Sequence, residues 1–147
     1  MHKLFSNQSA TLTDILPSHP RPDSNRVLDA SLLDFDLPTV IERIKQEPAW
    51  IYGKHNAITL TKSERMSIVL IAMHNGSEIK MQQVEGTMSL HIIKGKIKFT
   101  TENESVIIHE DKLLVMHKNI KHSLFAIEET IFLLTTVSPF DFGKSVN

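Results

Sequence analysis

Cysteine is absent from this 147-residue chain. That absence removes disulfides, thiolate metal sites and thiol nucleophiles, and with them any need for an oxidising compartment. Glycine is scarce at five residues, and no phosphate-cradling glycine loop, G-x-S-x-G elbow or H-E-x-x-H pair is present. Neither sign of charge is in excess: sixteen basic residues stand against seventeen acidic ones, for a formal charge of -1. No overall field therefore draws the protein toward DNA, RNA or anionic lipid, and neither nucleic acid nor membrane is expected as a partner. No apolar run approaches the ~20 residues of a membrane span. The first residues, MHKLFSNQSATLTDILPSHP, lack the long apolar stretch of a signal peptide, so a cytoplasmic location is the expectation.

What is present organises into three parts. The length suits one domain, which at this size can bury ~70% of the unfolded chain's surface in a single core. Residues 1–35 read as an N-terminal arm, polar to about Arg26, where Pro17, Pro20 and Pro22 resist both helix and central strand. It is extended or partly disordered, with Leu4, Phe5, Leu12, Ile15 and Leu16 offering apolar surface to dock. Residues 36–137 hold a helix and a strand-rich domain, and residues 138–147 a C-terminal tail. In DLPTVIERIKQEP, Asp36 is placed to cap a first turn containing Pro38, and Leu37, Val40, Ile41 and Ile44 share one face. Pro48 is expected to stop that helix.

After Trp50 the hydrophobic period shortens from 3.6 to 2. Punctuators at Asn75-Gly76, Glu85-Gly86, Lys94-Gly95, Asn103, Glu110-Asp111, Asn119 and Glu128-Glu129 divide the rest into roughly nine strands. They run over 56–62, 66–74, 77–83, 87–94, 96–101, 104–109, 112–117, 121–127 and 130–137. Many short strands without interleaved helices imply an all-β fold, an antiparallel sandwich or barrel. Asn75-Gly76 has the strongest signature of a two-residue hairpin loop.

The stretch GSEIKMQQVEGTMSLHIIKG, Gly76 to Gly95, has the glycine spacing of a motif G-x5-H-x-H-x3,4-E-x6-G, and reads as a hairpin. Together with EPAWIYGKHNAITLTKSERMSIVLIAMHNGSEIK before it and HSLFAIEETIFLLTTV after it, the chain resembles small single-domain bacterial cupins, over about Asp36 to Val137. The resemblance implies an RmlC-like jelly-roll β-barrel with an N-terminal arm and one short helix. It also implies where metal ligands belong: Gln82 stands at the first histidine, Val84 at the second and Met88 at the glutamate. The family's second motif, G-x5-P-x-G-x2-H-x3-N, puts Asp111 at its first glycine, His117 at its proline, Asn119 at its second glycine and Ala126 at its asparagine. His122 alone of the four usual ligands is retained.

A catalytic divalent metal needs about three converging protein ligands, typically imidazoles with a carboxylate. Amide, alkyl and thioether groups are poor substitutes, so no cofactor is expected. Strand alternation puts Met88, Leu90 and Ile92 on one face and Ser89, His91 and Ile93 on the other, so His91 points away from His122 unless a bulge reverses the phase. Val84, Met88, Leu90, Ile92, Leu124 and Ala126 either fill the interior, with His122 a core histidine, or line an apolar pocket carrying a few polar groups. On the pocket reading its residues are Gln82, Val84, Met88, Leu90, His122 and Leu124. His55, His74, His109 and His117 read as loop, turn or strand-end histidines, solvated or hydrogen-bonded. Sugar-nucleotide epimerases of this fold pair a histidine with a tyrosine, but the single tyrosine, Tyr52, precedes the strands.

The expected function is a non-catalytic small-molecule-binding or regulatory barrel whose family metal motif has degenerated. The alternative is a metal-dependent cupin enzyme, of dioxygenase or isomerase type, using His122, Gln82 and His91. A homodimer is expected, with Trp50, Phe5 and outward strand residues supplying apolar contact.

Overall fold

The computed structural model describes residues 27–81, 86–117 and 120–139. The expected arm up to residue 26 and most of the C-terminal tail lie outside the described residues, as do Gln82, Val84 and Asn119. From Val27 to Asp36 the chain has neither helix nor strand. It is tied to the domain where the Leu28 carbonyl accepts from the Lys62 amide at 3.0 Å and the Thr61 hydroxyl at 2.7 Å.

Helix α1, Leu37–Ile44, begins where the apolar spacing placed it, with Asp36 extended at its N-cap and Pro38 in its first turn. The Asp36 carboxylate accepts from the Thr39 hydroxyl at 2.9 Å and caps no backbone amide, so its role differs from the expected one. Pro48 does more than stop the helix: it opens a second short turn, α2, Pro48–Ile51. A first-turn proline gives up no helical hydrogen bond, which is why one residue can end one element and start the next.

Nine strands follow: β1 (His55–Lys62), β2 (Met66–Met73), β3 (Glu78–Met81), β4 (Thr87–Lys94), β5 (Lys96–Thr101), β6 (Ser105–His109), β7 (Leu113–Met116), β8 (His122–Ala126) and β9 (Thr130–Val137). They form two antiparallel sheets, a five-stranded β1-β2-β9-β4-β7 and a four-stranded β3-β8-β5-β6. Two readings of the Gly76 region change as a result. Asn75-Gly76 connects β2 of one sheet to β3 of the other, so it turns a corner between sheets and closes no two-residue hairpin. Gly76 still adopts φ 85, the left-handed conformation that the turn signature implied. Likewise β3 and β4, which span Gly76 to Gly95, pair with β8 and with β7 and β9, and not with each other. At Gly95, φ is 98 and a Cβ would lie 2.3 Å from the Glu129 carbonyl oxygen, so this corner accepts no side chain.

Alternation along the strands builds two hydrophobic layers. Val69, Ile71, Leu90, Ile92, Ile97, Phe99, Leu124, Phe132 and Leu134 meet between the sheets. Leu70, Ala72, Ile58, Leu60 and Ile131 face outward, where Ile44 and Trp50 cover them. Strand β2 is therefore buried on both faces, which accounts for its nearly unbroken run MSIVLIAM. Trp50 is 8% exposed and is a core residue of this outer layer, so it cannot supply the dimer contact expected of it. Among the described residues no helix is long and apolar enough to cross a membrane.

Chain direction gives the barrel two distinct ends. The connections at 74–77, 95, 110–112 and 127–129 lie at one end, below called the helix end because α2 leads into β1 there. The strand ends at Lys62 and Met66, Met81 and Thr87, Thr101 and Ser105, and Met116 and His122 lie at the other, the rim. His122, the first residue of β8, and Met116, the last of β7, belong to the rim, as does Met88 near the start of β4.

Candidate functional site

His122 pairs in register with Thr101 of β5 on one side and Met81 of β3 on the other. The parity that sends Leu124 and Ala126 inward sends His122 inward too, and it is 5% exposed. Its ring lies on Phe99, with centroids 5.2 Å apart and planes 18° from parallel. Nδ1 is 3.0 Å from the Ile120 carbonyl oxygen. A carbonyl can only accept, so Nδ1 carries the proton. Burial pushes the pKa of the ring down, and the bond to Ile120 opposes that only in part. The neutral ring thus leaves Nε2 as a bare lone pair, buried and without a partner among the described residues. Such an orphan acceptor costs on the order of 1–3 kcal/mol.

The side chains expected around it separate into groups. Met88, opposite Met116 in register, is 1% exposed, Leu90 is 0% and Leu124 is 1%; all three belong to the layer between the sheets. His91 is exposed on the outer face. The bulge in β4 falls between Ile92 and Lys94, beyond His91, so it does not reverse the phase, and the alternative ligand set loses this member. Gln82 and Val84 carry their side chains in the segment outside the described residues.

These donors do not fit the divalent metal of the cupin motif. Of the four motif positions one holds an imidazole, while Met88, Gln82 and Val84 hold a thioether, an uncharged amide and an alkyl group. Among the described residues, no three histidine, aspartate or glutamate side chains are grouped to hold a metal. Asp111 keeps one feature of the second motif: at the motif's glycine position it adopts φ 68, which aspartate tolerates better than most residues.

A cleft of about 350 Å³ opens at the rim beside His122. Strand β3 contributes Lys80 to it, β5 contributes Thr100 and Thr101 with Glu102 just beyond, and Lys121 and Ser123 flank His122. Lys80, Ser123 and Thr100 stand abreast on the outward register and Thr101 on the inward one, so the cleft runs from the outer face over the rim to His122. Of the expected pocket set, His122 lines this cleft, while Met88, Leu90 and Leu124 are packed in the inner layer.

Two histidines have roles that their sequence positions did not suggest. His74, expected at a turn as a solvated or hydrogen-bonded histidine, is hydrogen-bonded, its Nε2–H donating to the Trp50 carbonyl at 2.8 Å, and it also stacks on Trp50 at 3.5 Å between centroids and 18° between planes. His55, expected in a loop, begins β1 with the same parity as inward-facing Ala57. Its Nδ1 is buried without a partner among the described residues, and burial lowers its pKa. His109 and His117 are exposed at strand ends.

No family model matches the sequence, and no curated protein matches it. Among solved structures, the chain is similar to a cupin superfamily protein from Desulfitobacterium hafniense, at 16% identity and a TM-score of 0.61, over 78% of this chain and 97% of that one. It is similar at 24% identity and a TM-score of 0.57 to a conserved protein of unknown function from Streptococcus pyogenes, over 78% of this chain and 93% of the other. An RmlC-like cupin from Desulfovibrio desulfuricans shares 17% identity at a TM-score of 0.53, over 75% of this chain and 92% of that one. These likenesses agree with the two antiparallel sheets and their order: the chain has the cupin fold, an all-β jelly-roll barrel.

Proposed function

We propose that this protein is a non-catalytic ligand-binding barrel that works without the divalent metal of its fold family and holds a small molecule at the rim, beside His122. The observation that carries this reading is His122, which lines an open cleft while its Nε2 lone pair is buried and has no partner among the described residues. A ligand that donates a hydrogen bond there recovers the cost of the orphan acceptor, and the tautomer requires a donor, such as a hydroxyl or an N–H, and not a carbonyl. A first-row metal would need two further good donors, and Met88, Gln82 and Val84 do not supply them. Among the described residues that line the cleft there is no second imidazole, and Tyr52 is exposed in the connection from α2 to β1.

Metal analysis of protein purified without added metal is the direct test. The expected result is clearly less than one ion per chain, unchanged by His122→Ala. Stoichiometric iron, nickel, manganese or zinc that is lost in His122→Ala overturns the proposal.

A further inference from the structure

The rim cleft narrows the ligand's chemistry, on the reading that His122 marks a binding site. Two ammonium groups, Lys80 and Lys121, line it against one carboxylate, Glu102, so with a neutral His122 the lining carries a net charge of one positive unit. Among the described residues none of these three side chains has an ion-pair or hydrogen-bond partner, nor does the hydroxyl of Ser123. The Thr100 hydroxyl is already engaged with Ser105 at 3.0 Å, and that of Thr101 with the 102–104 turn, so they are not the free groups of the cleft. What remains free is sorted by chemistry. Lys80 and Lys121 are pure donors with charge, Nε2 of His122 and Glu102 are pure acceptors, and Ser123 is either. A bare anion would satisfy the lysines and leave both acceptors unmet. A neutral polyol would satisfy the acceptors and leave the lysines unpaired.

We infer that the cleft binds a small hydroxylated anion, its acidic group held by Lys80 and Lys121 and a hydroxyl donating to Nε2 of His122. The acidic group is a carboxylate or a phosphate, since both offer oxygens to ammonium donors. The cleft's size suits a ligand of small-metabolite dimensions. Because the lysines stand at an open rim, their contribution is screened by salt, whereas the buried contact to His122 is not.

Four compounds of equal carbon number separate the contributions: gluconate, sorbitol 6-phosphate, sorbitol and hexanoate. Binding to the full chain is measured by calorimetry and by ligand-observed NMR, at low and high salt. Gluconate or the phosphate is expected to bind at least about tenfold more tightly than either sorbitol or hexanoate, and which of the two anions wins identifies the acidic group. The exposed double variant Lys80→Ala, Lys121→Ala is expected to lose about tenfold for the anion and to remove its salt dependence. His122→Phe keeps a ring against Phe99 and is expected to bring the hydroxylated anion down to the level of hexanoate. Equal affinity for sorbitol and gluconate, or anion binding untouched by the lysine variant, overturns the inference; if that binding is still lost in His122→Phe, the pocket itself stands. Failure of both anions to bind below about 10 mM also overturns it. Stoichiometric metal held by His122 overturns the pocket reading instead.

Discussion

The two ends of the barrel use the same side chain in opposite ways. At the helix end His74 is satisfied on its face by Trp50 and at Nε2 by the Trp50 carbonyl. Around it, Asn56 donates to the Ile44 carbonyl at 2.8 Å and to Glu47 at 2.9 Å, while its own oxygen accepts from the Ala57 amide. Lys45 pairs with Glu129 and lies 5.8 Å from the Trp50 ring. At the rim, His122 has an aromatic face contact and one hydrogen bond too, yet Nε2 is left bare. A histidine held by a stacked ring and by a hydrogen bond to the same tryptophan holds a structure together. One with a fixed tautomer and an empty acceptor, its ring bordering a cleft, carries a cost that a ligand can recover.

The strongest way to break the comparison is to attack the helix end. Trp50→Ala removes the residue that joins α2, His74 and the outer face of β1, β2 and β9, and leaves a cavity in that outer layer. A loss of about 3–5 kcal/mol is expected in chemical denaturation, with the unfolding transition still cooperative. A loss below about 1 kcal/mol would mean that the helical segment contributes little to the barrel and that the helix end is as loosely held as the rim.

A smaller test applies one substitution to both ends. His74→Phe keeps a ring on Trp50 but strands the Trp50 carbonyl, and is expected to destabilise the fold by about 1 kcal/mol. His122→Phe removes an acceptor that has no donor among the described residues, but also the Nδ1–H that the Ile120 carbonyl accepts, so the two effects offset and the change is expected to lie within about 0.5 kcal/mol of neutral while impairing ligand binding. A clear loss at 74 with little or none at 122, read from denaturation midpoints, separates a structural histidine from a binding one. Equal losses at both sites would place His122 among the core residues.

Much of the barrel was legible because alternation and turn residues are local. All nine strands fall close to where the period-2 segments and their punctuators placed them, and the outward position of His91 followed from counting along β4. Partnership between sheets was not legible. Glycine at 76 signals a positive φ whether the chain reverses within a sheet or crosses to another, so β3 and β4 read as one hairpin although they lie in different sheets. Trp50 and His74 have no local signature either: they are 24 residues apart, and only the docking of α2 against the end of β2 brings them together. At the site, spacing alone singled out His122, but its tautomer depends on a carbonyl two residues away, and Lys80 reaches the cleft from β3, far in sequence from Lys121 just before β8.

The mildest probe is pH, and it bears on His55 at the helix end. Burial lowers the pKa of its ring below the ordinary value of 6.5, and no nearby acid compensates. Above about pH 6.5 the ring is neutral in both the folded and the unfolded chain, so nothing is lost. As pH falls below that value the unfolded chain takes up a proton first, and stability declines until the folded ring protonates as well. Between about pH 7.5 and about pH 5.5 the denaturation midpoint is therefore expected to fall, and His55→Gln, which cannot titrate, is expected to flatten that slope. The ring of His122 is shifted in the same direction, so some slope should survive in the variant. A His55→Gln slope identical to that of the parent chain would mean that the His55 ring is as well solvated folded as unfolded.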